Sequence, residues 1–199
     1  MNLQLENKTA LVTGSTKGIG FAIARLLAAE GANVIVNGRS EKSAQVAADK
    51  IGGKARGAAA DISTATGCAE LVRQLSEVDI LVNNAGIFEP KPFAEIPDAD
   101  WERFYQVNVM SGVRLTRAYF PGMLQRNWGR VVFISSESGV QIPEEMIHYG
   151  MTKAAELALV NGIARLTKGT GVTVNAVLPG PTASEGVTDF VGKLASDAK

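Results

Sequence analysis

The sequence predicts an α/β fold in which a parallel sheet is flanked by helices. Short runs rich in β-branched residues recur along the chain, and each is apolar and bounded by Gly, Asn or Ser, as buried parallel strands are. Longer segments between these runs carry apolar residues at helical spacing. Because strand and helix alternate repeatedly, a layered sheet with helices packed on it is the expected architecture.

Five strands are predicted from β-branched runs: Thr9–Thr13, Asn33–Asn37, Asp79–Val82, Arg130–Ile134 and Val172–Leu178. Lys54–Ala60 is a weaker strand candidate, because alanine is a poor strand former. The predicted helices are Ile19–Glu30, Glu41–Ile51, Thr64–Ser76, Asp98–Arg126 and Ile147–Lys168. Pro121 is expected to break or kink the fourth of them, since proline lacks the amide hydrogen that a helix interior uses.

The bulk composition narrows the possible functions. The length suits one domain over residues 1–199, and 46% apolar with 20% charged residues is typical of a soluble protein. Twenty basic residues balance twenty acidic ones, which argues against nucleic acid or a membrane as partner. One cysteine and one histidine are too few for a Cys/His zinc site, so no metal is expected. Without a recognisable signal peptide or a run of about 20 apolar residues, a cytoplasmic protein is expected.

A glycine-rich turn, TGSTKGIG, follows the first predicted strand and leads directly into a helix. Gly14 permits a tight turn, Gly18 lets the backbone approach a pyrophosphate, and Gly20 lets the helix pack closely on the strand. The start of the helix offers unpaired N–H groups and the positive end of its dipole. A ligand-free strand–helix turn is the alternative, but the position favours a dinucleotide site.

The residues at the end of the second predicted strand indicate which dinucleotide the protein binds. NAD sites commonly have Asp or Glu there to bond the ribose 2′-hydroxyl, whereas this strand runs into Arg39. Arg39 offers a planar fork for a 2′-phosphate, and Lys17 in the glycine turn adds a second cation. NADP(H) is therefore expected over NAD(H), although both cations also fit a solvated surface. Asp61, after the third strand, fits a helix N-cap region leading into Ser63 and Thr64.

Tyr149 and Lys153 lie four residues apart in a predicted helix, so they share one face. A nearby cation lowers the pKa of a phenol, which lets a tyrosine exchange protons near neutral pH. A surface Tyr–Lys pair is the alternative reading of this spacing alone. The fifth predicted strand ends in Ser135, Ser136 and Ser138, and one of these hydroxyls is expected to polarise a substrate oxygen. The residues alone do not choose among the three.

Three further residues need interpretation. Asn108 lies in an apolar helical stretch, where a buried amide must find partners, either in a helix kink or between helices. His148 is expected to cap locally or to face solvent rather than to act in catalysis. Cys68 is expected to be a small apolar helix residue.

These motifs, in this order, resemble those of the short-chain dehydrogenase/reductase family, and the TGxxxGIG spacing favours its reductase branch over the extended, epimerase-like relatives. The resemblance covers essentially all of the sequence. It implies a Rossmann-type, doubly wound parallel sheet flanked by helices in three layers. It also implies an oxidoreductase that transfers a hydride between NADP(H) and a carbonyl or alcohol substrate, with the tyrosine as general acid/base.

The resemblance assigns roles to individual residues. The family's serine precedes the tyrosine by 13 positions, which selects Ser136, so the implied catalytic residues are Asn108, Ser136, Tyr149 and Lys153. The implied role of Asn108 is to hold a water that links the lysine to solvent. The implied cofactor-binding residues are Gly14, Ser15, Lys17, Gly18, Ile19, Gly20, Arg39, Asp61, Ile62, Asn84, Ala85, Gly86, Tyr149, Lys153, Pro179, Gly180 and Thr182.

The chain departs from the family's pattern after its PG turn at Pro179-Gly180. The family continues through a substrate-covering helix, another helix and a final strand, whereas Ala183–Lys199 is long enough only for the first helical part. The final strand and helix are therefore expected to be absent. A homo-oligomer, dimer or tetramer, is implied by the family, and the missing strand puts its usual tetramer interface in doubt.

Two other functions compete with the oxidoreductase. A non-catalytic, dinucleotide-binding regulatory protein is suggested by the early stop, but it has no need of the serine, tyrosine, lysine and asparagine together. A purely structural protein would have no use for the glycine turn. The substrate is expected to be a small molecule lined by Phe88–Phe93, Gly139–Met146 and Ala183–Phe190, and a ketoacyl thioester, a sugar, a steroid or a small aldehyde all remain open.

Overall fold

The computed structural model describes residues 3–182, and its centre is a six-stranded, fully parallel sheet. Every predicted strand is confirmed, including the weak alanine-rich candidate. The strands are β1 (Thr9–Val12), β2 (Asn33–Gly38), β3 (Arg56–Ala59), β4 (Ile80–Asn83), β5 (Gly129–Ile134) and β6 (Val172–Val177). The predicted helical part of Ala183–Lys199 lies outside the described residues.

Helices follow the strands in alternation. They are α1 (Gly18–Ala29), α2 (Glu41–Ile51), α3 (Ala65–Gln74), α4 (Asp98–Phe104), α5 (Ser111–Gln125) and α6 (Ile147–Arg165). Side chains cap two of them, because Ser40 Oγ accepts from the Ser43 amide and Thr64 Oγ1 from the Gly67 amide. The N-cap region expected after Asp61 is therefore confirmed. Among the described residues, no helix is both long and apolar enough to cross a membrane.

The segment expected to be one long helix, Asp98–Arg126, is divided elsewhere than predicted. A π-helical stretch, Tyr105–Met110, separates α4 from α5, whereas α5 continues through Pro121 to Gln125. Pro121 therefore does not break the helix, and a kink at this residue stays a prediction. Tyr119 and Met123, on either side of the proline, are buried against the sheet, and this packing holds the helix together despite the missing amide hydrogen.

The strand order is β3-β2-β1-β4-β5-β6, so the direction of winding changes between β1 and β4. Alternate residues of β1 face opposite sides of the sheet, and each side has its own apolar core. Leu11 packs with residues of α3, α5 and α6, whereas Val12 packs with residues of α1 and α2. This is the predicted three-layer, Rossmann-type fold. Ligands in such sheets bind beyond the carboxyl ends of the strands at the point where the winding changes.

Candidate active site

A cleft of about 660 Å³ opens at the carboxyl edge of the sheet. Its walls come from the segments that follow β1, β4, β5 and β6 and from the start of α6. The lining residues are Ile19, Asn84, Gly86, Phe88, Ile134, Ser135, Ser136, Glu137, Ser138, Gln141, Ile142, Pro143, Glu145, Met146, Tyr149, Lys153, Pro179, Gly180, Pro181 and Thr182. The fold thus brings residues from both the predicted cofactor site and the predicted catalytic site into one space.

The glycine turn after β1 has the geometry that the sequence predicts. Gly14 and Gly18 have φ of 59° and 60°, a region that glycine enters without steric cost. A Cβ built at Gly20 would overlap Asn84 Nδ2 and lie 2.7 Å from the Gly14 carbonyl oxygen. Because α1 begins at Gly18 without a side-chain cap, its first amides and its positive dipole end are available to an anion. These residues fit the pyrophosphate of a dinucleotide.

The loop after β4 is tied to the glycine turn. Thr13 Oγ1 accepts from the amides of Asn84 and Ala85 at 2.9 and 3.0 Å. Asn84 Nδ2 donates to the carbonyl oxygens of Thr13 at 2.9 Å and Gly14 at 3.1 Å. These bonds fix the backbone of Ala85 and Gly86 beside the turn, and both are residues that the family resemblance implies in cofactor binding.

The end of β2 carries the residues that were expected to select the dinucleotide. Arg39 follows β2 directly, and both Arg39 and Lys17 are exposed. The neighbouring Asn37 is buried and structural, since its Nδ2 donates to the carbonyl oxygens of Ala58 and Ala60. Ser15 is also buried, and its Oγ donates to Val12 O at 2.6 Å and accepts from the Asn37 amide. A role for Ser15 in cofactor binding stays a prediction.

Two further predicted cofactor residues follow β3. Asp61 is exposed, and its Oδ1 accepts from the amide and the hydroxyl of Ser63, an arrangement that leads the chain into α3. Ile62 is buried in the core. Neither residue lines the described cleft, and their role in cofactor binding stays a prediction.

Tyr149 and Ser136 meet in the cleft. Tyr149 lies near the start of α6, and both Tyr149 and Ser136, which follows β5, line the cleft. The Ser138 amide donates to Ser136 Oγ at 3.1 Å, which orients that hydroxyl. Ser135 also lines the cleft, but its Oγ donates to Lys153 O at 3.0 Å. The assignment of Ser136 as the catalytic serine stays a prediction, and the influence of Ser136 on the pKa of Tyr149 is consistent with it.

Lys153 is almost fully buried one turn after Tyr149, with 3% of its surface exposed. Its Nζ donates to Ile134 O at 2.9 Å and lies 3.0 and 3.2 Å from the two carboxylate oxygens of Glu156. The ammonium is 5.7 Å from the centre of the Tyr149 ring. Sequence reasoning missed Glu156, although an acid three residues after the lysine in a helix was a usable signal.

The ionisation of Tyr149 differs from the sequence expectation. Burial has the largest effect and raises the pKa of the phenol; the Ser136 side chain lowers it, and the negative charge of Glu156 raises it. The direction therefore differs from the expected lowering by Lys153, because burial disfavours the charged phenolate. A protonated phenol is the form that can donate to a carbonyl oxygen.

Asn108 joins three parts of the site from within the π-helical stretch. Its Oδ1 accepts from the Ile87 amide at 2.8 Å, and its Nδ2 donates to Ile87 O at 3.0 Å and to Thr152 Oγ1 at 2.9 Å. The predicted alternative of a bond between helices is thus confirmed. A Cβ built at Gly86 would lie 3.6 Å from both Asn108 Oδ1 and Lys153 Nζ, so these groups share one small space.

The walls of the cleft match the predicted substrate-lining segments in part. Phe88, Gln141, Ile142, Glu145 and Met146 line it, whereas Phe93 and Val140 are exposed and do not. The PG turn after β6 contributes Pro179, Gly180 and Thr182 to the same cleft, and their role in cofactor binding stays a prediction. Ala183–Phe190 lies outside the described residues.

His148 does not behave as expected. The side chain is 1% exposed and packs against Phe104, with ring centres 4.0 Å apart, and against the edge of Trp101. Burial lowers the pKa of the imidazole. The expectation of capping or solvent exposure is wrong, because aromatic residues of α4 cover this face of α6. Cys68 is buried in α3, as predicted.

The fold and the site agree with a comparison to protein families, in which residues 8–194 match the short chain dehydrogenase family. The chain belongs to this family. It is an NAD(P)-dependent oxidoreductase acting on alcohol or carbonyl groups, and a bound nicotinamide dinucleotide carries the hydride in such enzymes.

Individual relatives support the assignment. An oxidoreductase of Bacillus subtilis strain 168, YvaG, is 50% identical over 98% of this chain and 75% of its own length. The structure is similar, with a TM-score of 0.92, to L-sorbose reductase from Gluconobacter frateurii in complex with NADPH and L-sorbose, at 31% identity over 99% of this chain and 78% of that one. It is also similar to a 3-ketoacyl-(acyl-carrier-protein) reductase from Brucella melitensis in complex with NADH, with a TM-score of 0.86 and 27% identity over 92% and 80% of the two chains.

Proposed function

We propose that this enzyme interconverts a carbonyl and an alcohol with NADP(H), and that Tyr149 exchanges the proton at the substrate oxygen. In the reducing direction a hydride adds to the carbonyl carbon and the Tyr149 hydroxyl donates its proton to the oxygen. Ser136 donates a hydrogen bond to the same oxygen and polarises it. In the oxidising direction the tyrosine accepts the proton.

The observation that carries this proposal is that Tyr149 and Ser136 line the same cleft as Asn84 and Gly86. Two hydroxyls in one cleft can both reach one substrate oxygen. A ring held along the glycine turn would then lie beside that oxygen, so the proton donor and the hydride carrier share one small volume. Asn108 and Lys153 lie beside this volume, and their hydrogen bonds connect the segments that surround it.

The preference for NADP(H) over NAD(H) rests on charge at the end of β2. Arg39 is exposed there and follows the strand directly, and Lys17 is exposed in the glycine turn. A guanidinium binds a phosphate through two parallel hydrogen bonds, whereas it gains little from a ribose hydroxyl. Similar structures contain either dinucleotide, so the preference depends on these two residues of this chain.

The test is cofactor consumption by the full-length protein across a panel of aldehydes, ketoacyl thioesters, sugars and steroids. We expect NADPH oxidation with at least one carbonyl, and a loss of about 10³-fold or more in kcat for Tyr149→Phe, because general acid catalysis contributes about 10²–10⁴-fold. Tyr105→Phe is the matched control, since this tyrosine is 41% exposed in the π-helical stretch, and its activity should be unchanged.

The competing function is a regulatory protein that binds the dinucleotide without turnover. That protein would bind NADPH but oxidise it with no carbonyl in the panel. Turnover that persists in Tyr149→Phe would refute the role of the tyrosine while leaving the dinucleotide site intact. Turnover that is faster with NADH would refute the cofactor preference alone.

Three expectations from the sequence stay predictions: one domain over residues 1–199, a homo-oligomer, and a cytoplasmic location. Light scattering of the full-length protein measures the second directly, and a mass of one chain would contradict it.

A further inference from the structure

Glu156 is a buried acid that the proposed reaction does not use. It lies in the middle of α6 with 2% of its surface exposed, one turn after Lys153. Its two carboxylate oxygens lie 3.0 and 3.2 Å from Lys153 Nζ. Burying a carboxylate costs several kcal/mol unless a partner compensates it, so this position needs an explanation.

Lys153 is held by this contact. An ammonium has three N–H groups, and here they are directed at Ile134 O and the Glu156 carboxylate. The lysine therefore sits 5.7 Å from the centre of the Tyr149 ring with its charge already opposed. An unopposed ammonium at this distance would stabilise a phenolate strongly, because an opposite charge within about 4–6 Å shifts a pKa by about 1–3 units.

We propose that Glu156 is a positioning residue whose buried carboxylate anchors the Lys153 ammonium and offsets its charge, so that Tyr149 stays protonated over a wider pH range. The inference rests on the proposed function, in which Tyr149 exchanges the proton. It extends that function by naming the group that sets the pH range of the exchange.

The ionisation of the groups in the site supports this assignment. The pKa of Glu156 is raised to about 7 by burial, against the opposing charge and hydrogen bond of Lys153 and the hydrogen bond of Ser135. Glu156 is therefore ionised in the alkaline range in which a tyrosine titrates. In that range its negative charge raises the pKa of Tyr149.

Other titratable groups lie on the elements that pack against α6, but the ion pair described for Glu156 is the one with Lys153. They are Asp98, Asp100, Glu102 and Arg103 on α4, Tyr105 on the π-helical stretch, Glu137, Glu144 and Glu145 on the short helices after β5, and His148 and Arg165 on α6 itself. The effect on Tyr149 is therefore expected to follow Glu156 and not the general charge of the region.

The experiment is an ultraviolet titration of phenolate in the full-length protein. The chain has three tyrosines, so the Tyr149 signal is obtained by subtracting the titration of Tyr149→Phe in the same background. In Glu156→Gln, which keeps an oxygen acceptor for Lys153 but removes the negative charge, the Tyr149 midpoint should fall by about one pH unit or more. Glu144→Gln removes the same charge from an exposed position and should leave the midpoint unchanged.

This readout needs no substrate, so it is independent of the proposed function. A folded Glu156→Gln protein with an unchanged or higher Tyr149 midpoint would overturn the inference. A purely structural role for Glu156 would change the unfolding midpoint but not the titration. If Glu156→Gln does not fold, Glu156→Leu, which also removes the negative charge, replaces it in the titration, and an unchanged or higher Tyr149 midpoint would overturn the inference.

Turnover gives a second reading once a substrate is found. The pH profile of kcat/KM for alcohol oxidation should move to lower pH in Glu156→Gln by the same amount as the phenol midpoint, because the tyrosine must lose its proton before it can accept one. A profile that stays in place while the phenol midpoint moves would refute Tyr149 as the exchanging group and leave the role of Glu156 in its ionisation intact.

Discussion

Replacing Asn108 with alanine tests whether this residue holds the site together. Its side chain makes three hydrogen bonds, two to the backbone of Ile87 and one to Thr152 Oγ1, at 2.8 to 3.0 Å and with 2% of the residue exposed. Each such bond contributes about 0.5–1.5 kcal/mol, and each buried partner left unsatisfied adds a penalty. We expect Asn108→Ala to lower the free energy of unfolding by about 3 kcal/mol.

The assay is urea unfolding followed by circular dichroism, with thermal unfolding beside it. A loss of about 3 kcal/mol corresponds to a fall in Tm of about 6–12 °C for a chain of this size. Asn161→Ala is the matched control, because Asn161 is exposed on α6 and bonds only the exposed Arg165. Both variants gain the same helix propensity, so their difference isolates the buried bonds.

The control should stay within about 0.5 kcal/mol of the wild type. If Asn108→Ala also stays within that range, the three hydrogen bonds do not support the π-helical stretch, and the account of how Asn108 joins the loop after β4 to α6 is refuted.

Two further predictions concern the dinucleotide site. In Gly20→Ala the new methyl group collides with Asn84 Nδ2, so NADPH affinity measured by fluorescence titration should fall at least tenfold; Gly162→Ala, on α6 with open space around it, should instead gain about 0.5–1 kcal/mol of stability. Unchanged affinity in Gly20→Ala would contradict the close approach. Arg39→Ala should raise KM for NADPH about 10–100-fold, from the loss of about 1.5–3 kcal/mol of charge-assisted bonding, and leave KM for NADH unchanged. Arg25→Ala, an exposed change on α1, is its control, and equal effects on both cofactors would contradict a 2′-phosphate contact.

The fold was predictable because the strand-forming runs, the amphipathic segments and the glycine spacing all indicate the same architecture. β-branched runs between amphipathic segments specify parallel strands and crossover helices, and the glycine spacing after β1 specifies the turn. Even the alanine-rich β3 formed, because pairing with β2 supplies what its intrinsic propensity lacks. The π-helical stretch was not predictable, since it depends on the bonds that Asn108 makes to Ile87 and Thr152, residues distant in sequence.

The sequence predicted which residues form the candidate site better than it predicted their charge interactions and pKa values. Local spacing brought Tyr149 and Lys153 to one helix face, and the strand end brought Ser136 to meet them. The compensation of Lys153 by Glu156 and the burial of His148 under Trp101 depend on which face of α6 is covered by other elements. A sequence pattern does not specify that covering, nor the burial of Tyr149, which is the main reason that the pKa of its phenol is raised and not lowered.

The most direct test of the proposed chemistry follows an isotope. The full-length protein would be supplied with NADPH carrying deuterium at C4 of the nicotinamide and with a carbonyl substrate from the panel, and the alcohol product would be examined by mass spectrometry. The account predicts one deuterium on the carbinol carbon with the wild type and with Tyr105→Phe, and almost no labelled alcohol with Tyr149→Phe, whose NADPH affinity should be retained. Labelled alcohol formed at the wild-type rate by Tyr149→Phe would contradict it.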